Sequence, residues 1–165
     1  MIDSEGYRQN VGIIVCNHAG KLLWCRRYAQ DAWQFPQGGI EPNESPNEAL
    51  YRELYEETGL NASQVAQLGQ TRDWLSYRIP DEYCRRRGKN VCIGQKQIWY
   101  LLKLLNGEIR FHSDGQRSPE FDQSRWVDYW FPVDNVVEFK RDVYRQALTE
   151  LRPLWQQSMA KDAKE

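Results

Sequence analysis

The 165-residue sequence is poor in the residues that build a zinc site. It contains two histidines and four cysteines, and the cysteines form no C-x-x-C pair, so a Cys/His zinc centre is not expected. Two disulfides are conceivable, but the start at Met1–Glu5 is polar and acidic and lacks the apolar stretch of a secretory signal. We therefore expect free thiols and a cytoplasmic protein.

Excess charge and long apolar runs are also missing. The formal net charge is -1 at pH 7, whereas a protein that binds nucleic acid along its backbone would be clearly basic. An RNA ligand would have to be held at a local feature such as a phosphorylated end. No apolar run is long enough to cross a membrane, and nothing indicates an oligomer interface, so we expect a monomer that does not bind membranes.

The composition, with 41% apolar residues, indicates a globular protein. We place a single domain at residues 1–155 and a frayed tail at residues 156–165. Ser45 as N-cap, Pro46 in the first helical position and Gly59 as C-cap predict a helix over Pro46–Thr58. Glu48 completes a capping box with Ser45.

Strands are predicted around this helix, which gives a mixed α/β domain. A turn between two apolar segments predicts a hairpin, and the Asn106-Gly107 pair predicts another. The expected strands are Val11–Cys16, Lys21–Tyr28, Trp33–Phe35, Gln67–Tyr77, Gln95–Leu105, Glu108–Phe111 and Arg125–Trp130. Loops are expected at Pro36–Gly39 and Asp81–Asn90, and helical structure over Val136–Trp155.

Three glutamates lie on one face of the predicted helix. Glu53, Glu56 and Glu57 fall at i, i+3 and i+4, where each like-charge pair costs about 0.2–0.5 kcal/mol. A bound cation would reverse that cost, and carboxylates without histidine or cysteine favour Mg²⁺ or Mn²⁺ over Zn²⁺. Because Mg²⁺ usually shares its ligands with substrate phosphates, the pattern favours phosphate chemistry. Alone, it is also typical of a solvated acidic helix face.

These glutamates belong to a longer pattern. Five residues separate Gly38 from Glu44, seven more precede Arg52, and the pattern ends in Arg52-Glu53-Leu54-x-Glu56-Glu57-x-Gly59-Leu60. The pattern resembles the Nudix box. The resemblance implies the Nudix fold, a mixed β-sheet between helices with the box as loop–helix–loop, and hydrolysis of a nucleoside diphosphate linked to another moiety.

The same resemblance implies roles for the box residues. Glu53, Glu56 and Glu57 would be the catalytic glutamates, and together with the Gly38 carbonyl they would bind the metal. Glu53 would be the general base or a ligand next to it. Mg²⁺ is the expected ion, Mn²⁺ a substitute and Zn²⁺ at most a weak one. Structural roles are expected for Glu44, Arg52 and Gly59.

Segments outside the box resemble one Nudix subgroup, the bacterial RNA pyrophosphohydrolases, also described as dinucleoside polyphosphate hydrolases. These segments are Tyr7–Gly12, Trp33–Gly39, Gly94–Gln97, Ser118–Asp122 and Phe139–Tyr144. The resemblance implies removal of pyrophosphate from a 5′-triphosphate RNA end, or of phosphate from a 5′-diphosphate end, which starts decay of the message. One alternative is a diadenosine polyphosphate hydrolase or a nucleotide-cleansing enzyme. A binding-only Nudix module is a further alternative, although the complete set of box glutamates argues against it.

Residues in these segments receive roles from the same resemblance. A base would stack between Arg27 and Phe139, which suits single-stranded RNA, and Glu120 would be a further metal ligand. The phosphates of an RNA end or a dinucleoside polyphosphate would be bound by Arg8, Gln95, Lys140 and Tyr77.

Each of these residues also has a simpler interpretation. Arg8 and Arg27 could be surface charges, and Lys140 the solvated start of a helix. The remaining alternatives are a strand residue for Tyr77, a core residue for Phe139, an N-cap for Glu120 and a solvated loop for Arg85–Arg87.

Overall fold

The computed structural model describes residues 2–83, 86–87, 90–111 and 118–164. Within these ranges the strands are β1 (Tyr7–Cys16), β2 (Leu22–Arg27), β3 (Trp33–Gln34), β4 (Gln37–Gly39), β5 (Val65–Gln70), β6 (Leu75–Arg78), β7 (Arg86–Arg87), β8 (Asn90–Val91), β9 (Gly94–Leu104) and β10 (Phe121–Val127). The α-helices are α1 (Pro46–Thr58), α2 (Phe131–Asn135) and α3 (Arg141–Ala163). Short 3₁₀ turns lie at Ala62–Gln64, Asp81–Tyr83 and Glu138–Lys140.

The main sheet is mixed and contains eight of the described strands, in the order β10-β2-β1-β9-β5. Strands β1 and β9 pair in parallel at its centre, whereas the other pairs are antiparallel. The short strands β3, β4 and β6 are added to β2, β1 and β9 respectively. Since successive strand residues point to opposite faces, this sheet has two faces to cover.

A helix covers each face of the sheet. Leu50 and Leu54 of α1 pack with Val11 and Ile13 in one cluster of buried residues. On the opposite face, α3 contributes Tyr144, Ala147, Leu148 and Leu151 to a second cluster with Trp24 and Trp99 of the sheet. The predicted mixed sheet between helices is therefore confirmed.

Local capping fixes helix α1 at the bounds predicted from the sequence. The Ser45 Oγ accepts from the Glu48 backbone N–H at 3.1 Å, and a Glu48 carboxylate oxygen accepts from the Ser45 N–H at 3.2 Å. Gly59 has φ 78°, the left-handed conformation that glycine tolerates best. The prediction of Pro46–Thr58 is confirmed.

Several predicted local elements are wrong, among them the single strand Gln67–Tyr77, which is interrupted between β5 and β6. The predicted loop at Pro36–Gly39 includes strand β4, in which Gly38 pairs with Val11 of β1. The predicted strand Glu108–Phe111, and with it the hairpin at Asn106-Gly107, is absent from the described structure. The Arg110 backbone N–H instead donates to the Thr58 carbonyl at the end of α1.

The end of the described chain also differs from the prediction. Helix α3 contains Pro153 and continues to Ala163, whereas the sequence predicts a frayed tail from Gln156. Contacts with distant segments hold this last part, because the Trp155 indole donates to the Gly20 carbonyl at 3.0 Å and Asp162 pairs with Lys103. None of the helices in the described ranges is long and apolar enough to span a membrane.

The predicted loop at Asp81–Asn90 is only partly described. Asp81–Tyr83 forms a 3₁₀ turn, and β7 and β8 pair as a small antiparallel sheet, so the loop prediction is wrong for these residues. Arg85, part of the arginine run, lies outside the described residues.

Candidate active site

Two adjacent glycines of β4 lie at the centre of the candidate site. A Cβ atom on Gly38 would lie 2.0 Å from the Glu53 Cδ, and one on Gly39 would lie 2.8 Å from the Arg8 Nη2. Helix α1 therefore presents Glu53, and strand β1 presents Arg8, to the same short strand. Both approaches are closer than a side chain would allow, which explains the need for glycine at these positions.

Arg52 ties the helix to the segment that precedes it. Its guanidinium donates to Glu44 through Nε at 2.7 Å and through Nη2 at 2.9 Å, and Nη2 also donates to the Gly39 carbonyl at 2.8 Å. Nη1 donates to Glu53 at 2.8 Å and to Glu56 at 3.2 Å. This forked geometry suits a guanidinium bound to carboxylates and fixes the position of Glu53.

Glu53 and Glu57 form a buried pair of carboxylates. Burial raises the pKa of Glu53, and burial followed by the charges of Glu53 and Glu120 raises the pKa of Glu57 well above its ordinary value. In the part of the chain that the structure describes, the buried Oε2 of Glu57 has no hydrogen-bond partner. Two buried carboxylates this close repel each other and lose their solvation when both are ionised. A bound cation would offset both costs.

The carboxylate oxygens of Glu53 and Glu57 suit a hard divalent cation, although the acidic side chains of the site are not arranged around a common point. Within the described ranges, no three His, Cys, Asp or Glu side chains are arranged to hold a metal ion. Arg52 engages Glu53 and Glu56, and the Glu56 side chain is 54% exposed. The unpartnered Oε2 of Glu57 and the oxygen-only donor set are nevertheless what Mg²⁺ and Mn²⁺ bind.

Strand register aligns three of the predicted phosphate-binding residues. Arg8 of β1 and Tyr77 of β6 are both Cα partners of Gln95 in β9, so the three form one row across the sheet. Paired residues point to the same face. Gln37 joins the row by donating from Nε2 to Gln95 at 3.1 Å and to the Tyr77 hydroxyl at 3.4 Å.

Lys140 approaches the same row from the 3₁₀ turn before α3. Its Nζ donates to Gln34 at 3.3 Å and to Gln37 at 3.4 Å, and the residue is only 9% exposed. Burial, followed by the nearby charge of Arg27, lowers the pKa of Lys140 to about 8. The alternative of a solvated helix start is therefore wrong.

Aromatic rings lie beside the cationic residues. The Phe139 ring centroid is 5.9 Å from that of the buried Tyr77 and 6.0 Å from that of Tyr83, which is 63% exposed. Arg27 lies with its Nε 4.0 Å from a Glu120 oxygen. Among the described residues the structure therefore pairs Arg27 with Glu120, and no guanidinium–ring stack with Phe139 is present.

Sequence reasoning missed three residues near the site, namely Gln37, Gln97 and Tyr83. Gln37 stands in a segment predicted as a loop, which gives no side-chain direction. Strand alternation would have placed it on the face opposite to Gly38. Tyr83 carries no motif, and only the folded turn at Asp81–Tyr83 brings it to Phe139.

Solved structures with the same fold include two hydrolases. A dihydroneopterin triphosphate pyrophosphohydrolase from E. coli matches with a TM-score of 0.69 and 19% identity, covering 87% of this chain and 98% of that chain. An Ap4A hydrolase from C. elegans matches with a TM-score of 0.59 and 20% identity, covering 84% of this chain and 93% of that chain. At these identities the likeness concerns the fold alone.

Sequence comparison gives much closer relatives. A protein from Halorhodospira halophila named RNA pyrophosphohydrolase is 63% identical over 92% of this chain and 83% of its own length. A protein of the same name from Yersinia enterocolitica is 55% identical over 93% of this chain and 87% of its own length. The NUDIX domain model matches residues 6–151. With this match across most of the chain, and with all the box glutamates in place, the protein belongs to the NUDIX domain family and is a Nudix hydrolase.

Proposed function

We propose that this enzyme removes pyrophosphate from 5′-triphosphate RNA ends, and phosphate from 5′-diphosphate ends, as a cytoplasmic monomer. Water is added across a phosphoanhydride bond, so that a 5′-monophosphate end remains. The proposal rests on one observation: Glu53 lies against Gly38 and Arg8 lies against Gly39, on the two faces of the short strand β4. The relatives named RNA pyrophosphohydrolase support RNA as the substrate.

Nudix hydrolases generally use divalent metal ions. For this chain we propose Mg²⁺, with Mn²⁺ as a substitute. The ligands would be Glu53, Glu56, Glu57, Glu120 and the carbonyl of Gly38. When bound, the ion neutralises polyphosphate charge and lowers the pKa of a coordinated water.

Side chains of this protein would bind the phosphates and transfer the proton. Arg8 would bind phosphate through its forked guanidinium, and Lys140 would act as a point charge. Gln95 and Tyr77 would donate hydrogen bonds to the same phosphates. Glu53 would accept the proton of the attacking water.

RNA bases would lie against the rings outside the row. Phe139 offers a ring beside Lys140, and stacking on such a ring tolerates any base. Arg27 would stack on the other side of the base, which requires it to leave Glu120. Glu120 would help to hold the ion and Arg27 would hold the base. The ion pair between them is weak, because its two side chains are 44% and 49% exposed.

The test of this function is product analysis with two substrates and Mg²⁺. One is a short RNA with a 5′-triphosphate and the other is diadenosine tetraphosphate. The proposal expects 5′-monophosphate RNA and pyrophosphate, at a higher kcat/KM than for the dinucleotide. Untouched RNA together with rapid cleavage of diadenosine tetraphosphate would contradict it and favour a dinucleoside polyphosphate hydrolase.

Mg²⁺ is expected to raise the melting temperature of the wild type more than that of Glu57→Gln. A ligand that binds only the folded state at a hundredfold excess over its Kd stabilises by about 2.7 kcal/mol, and the variant lacks one proposed ligand. Without Mg²⁺ the variant should melt above the wild type, because the amide places no charge beside Glu53.

Thermal unfolding with and without MgCl₂ measures both effects. Glu108→Gln, the same change at an exposed residue, is the matched control and should behave like the wild type. Equal Mg²⁺ shifts in the wild type and in Glu57→Gln would remove Glu57 from the metal site.

The KM for triphosphate RNA is expected to rise as the pH increases through about 8. Lys140 attracts phosphate only when protonated, and its pKa is lowered to about 8, so its charge is present below that pH and lost above it. The Lys140→Arg variant keeps its charge at every pH in this range. Its KM should therefore stay level between pH 7 and 9, and a level KM in the wild type would contradict the role of Lys140.

A further inference from the structure

A continuous chain of side-chain hydrogen bonds runs behind the phosphate-binding row. The Trp99 Nε1 donates to the Gln97 Oε1 at 3.1 Å, and the Gln97 Nε2 donates to the Asn10 Oδ1 at 2.7 Å and to the Gln37 Oε1 at 3.4 Å. The Gln37 Nε2 then donates to the Gln95 Oε1 at 3.1 Å. Two side chains, those of Gln97 and Gln37, therefore connect the buried Trp99 to Gln95 of the proposed phosphate site.

The direction of this chain is fixed at its buried end. An amide group has nearly the same shape either way round, so its hydrogen-bond partners decide which end is oxygen. An indole N–H can only donate, and Trp99 and Gln97 are both fully buried. Gln97 must therefore turn its oxygen to Trp99 and its nitrogen to Gln37.

Lys140 fixes the orientation of Gln37 a second time. An ammonium group can only donate, and the Lys140 Nζ lies 3.4 Å from the Gln37 Oε1. Two donors from different elements, β9 and the 3₁₀ turn at Glu138–Lys140, therefore point at the same oxygen. The nitrogen of Gln37 is left to face Gln95 and Tyr77.

The orientation of Gln37 determines what the row offers to a ligand. Gln95 accepts through its Oε1, so its Nε2 is directed away from Gln37, and no described residue accepts from it. The Tyr77 hydroxyl also accepts from Gln37, which leaves its own O–H to donate elsewhere. Gln95, Tyr77, Arg8 and Lys140 therefore all offer hydrogen-bond donors to an anion.

We propose that Gln37 is a positioning residue that sets the amide orientation of Gln95, so that phosphate oxygens meet its NH₂ group and not its carbonyl. This inference rests on the proposed function of the site in binding phosphate. A reversed Gln95 amide would place its oxygen against the phosphate oxygens, which repel it. Gln37 acts through Gln95 and needs no contact with the reacting atoms.

A double-mutant cycle on kcat/KM for triphosphate RNA tests this positioning role. The variants are Gln37→Met, Gln95→Met and the double variant, with Gln70→Met, an exposed strand residue, as the matched control. A hydrogen bond to a charged group accounts for about a ten- to hundredfold effect, so Gln95→Met should lower kcat/KM by that factor. Gln37→Met should lower it about tenfold in the wild type but less than about threefold when Gln95 is already Met, because coupled residues are not additive.

A structural defect would give a different result. In Gln37→Met the Kd for the same RNA with a 5′-hydroxyl should stay at the wild-type value, because that RNA lacks the phosphates that Gln95 would bind. An equal loss from Gln37→Met in both backgrounds, or no loss in either, would overturn the positioning role. If the wild type cleaves only diadenosine tetraphosphate, the RNA function fails, and the same cycle run on that substrate still tests the role of Gln37.

Discussion

Glu53→Gln is expected to lower kcat by about a hundred- to ten-thousandfold, the range found when a general base is lost. Its carboxylate is held by Arg52 at 2.8 Å and lies against Gly38. The amide has the same shape but can neither take a proton from water nor bind a cation as an anion does. KM should change much less, because the phosphate-binding row on β1, β6 and β9 and Lys140 in the 3₁₀ turn all lie outside α1.

The fold should survive this substitution. The wild-type pair of Glu53 and Glu57 is unfavourable without a cation, so loss of one charge offsets the weakened contact with Arg52. Single-turnover kinetics on triphosphate RNA, together with melting temperatures, would separate chemistry from stability, and Glu108→Gln again serves as the control. A Glu53→Gln enzyme with more than about a tenth of the wild-type kcat would exclude Glu53 as the base, given that range.

Local signals explain which parts of the fold could be predicted from the sequence. Helix α1 was predicted with its bounds because Ser45, Pro46 and Gly59 act within one turn of its ends. Strand β4 was missed because its glycines favour a loop locally, and only pairing with β1 makes it a strand. The last turns of α3 were missed for a related reason, since Gly20 and Lys103, far away in the chain, hold them.

The contrast between local signals and contacts from distant segments also applies to the candidate site. The glutamates of α1 follow from spacing alone, because helical periodicity places them together. The row formed by Arg8, Gln95 and Tyr77 depends on the register of three strands. No local pattern shows that register, and only the resemblance to the subgroup indicates these three residues. Gln37 cannot be predicted in this way, because its role depends on side-chain orientation in a segment whose glycines and proline favour a loop.

Gly38→Ala and Gly39→Ala are expected to damage different steps of the reaction. A Cβ at Gly38 would lie 2.0 Å from the Glu53 Cδ and must displace that carboxylate, whereas a Cβ at Gly39 would lie 2.8 Å from the Arg8 Nη2. We therefore expect Gly38→Ala to lower kcat by about a hundredfold or more, as loss of a positioned base does. Gly39→Ala should mainly raise KM, by about tenfold, because it would weaken the proposed hydrogen bond from Arg8 to phosphate.

Both substitutions should leave the protein folded, since the displaced atoms are the ends of flexible side chains and neither glycine has a positive φ. Steady-state kinetics on triphosphate RNA, with melting temperatures as a check, would show the split between kcat and KM. The contrast is informative because the two alanines differ by one position and by the face of β4 from which they project. Equal effects of both alanines on kcat and KM would mean that Glu53 and Arg8 do not serve separate steps, and the division of the site at β4 would be wrong.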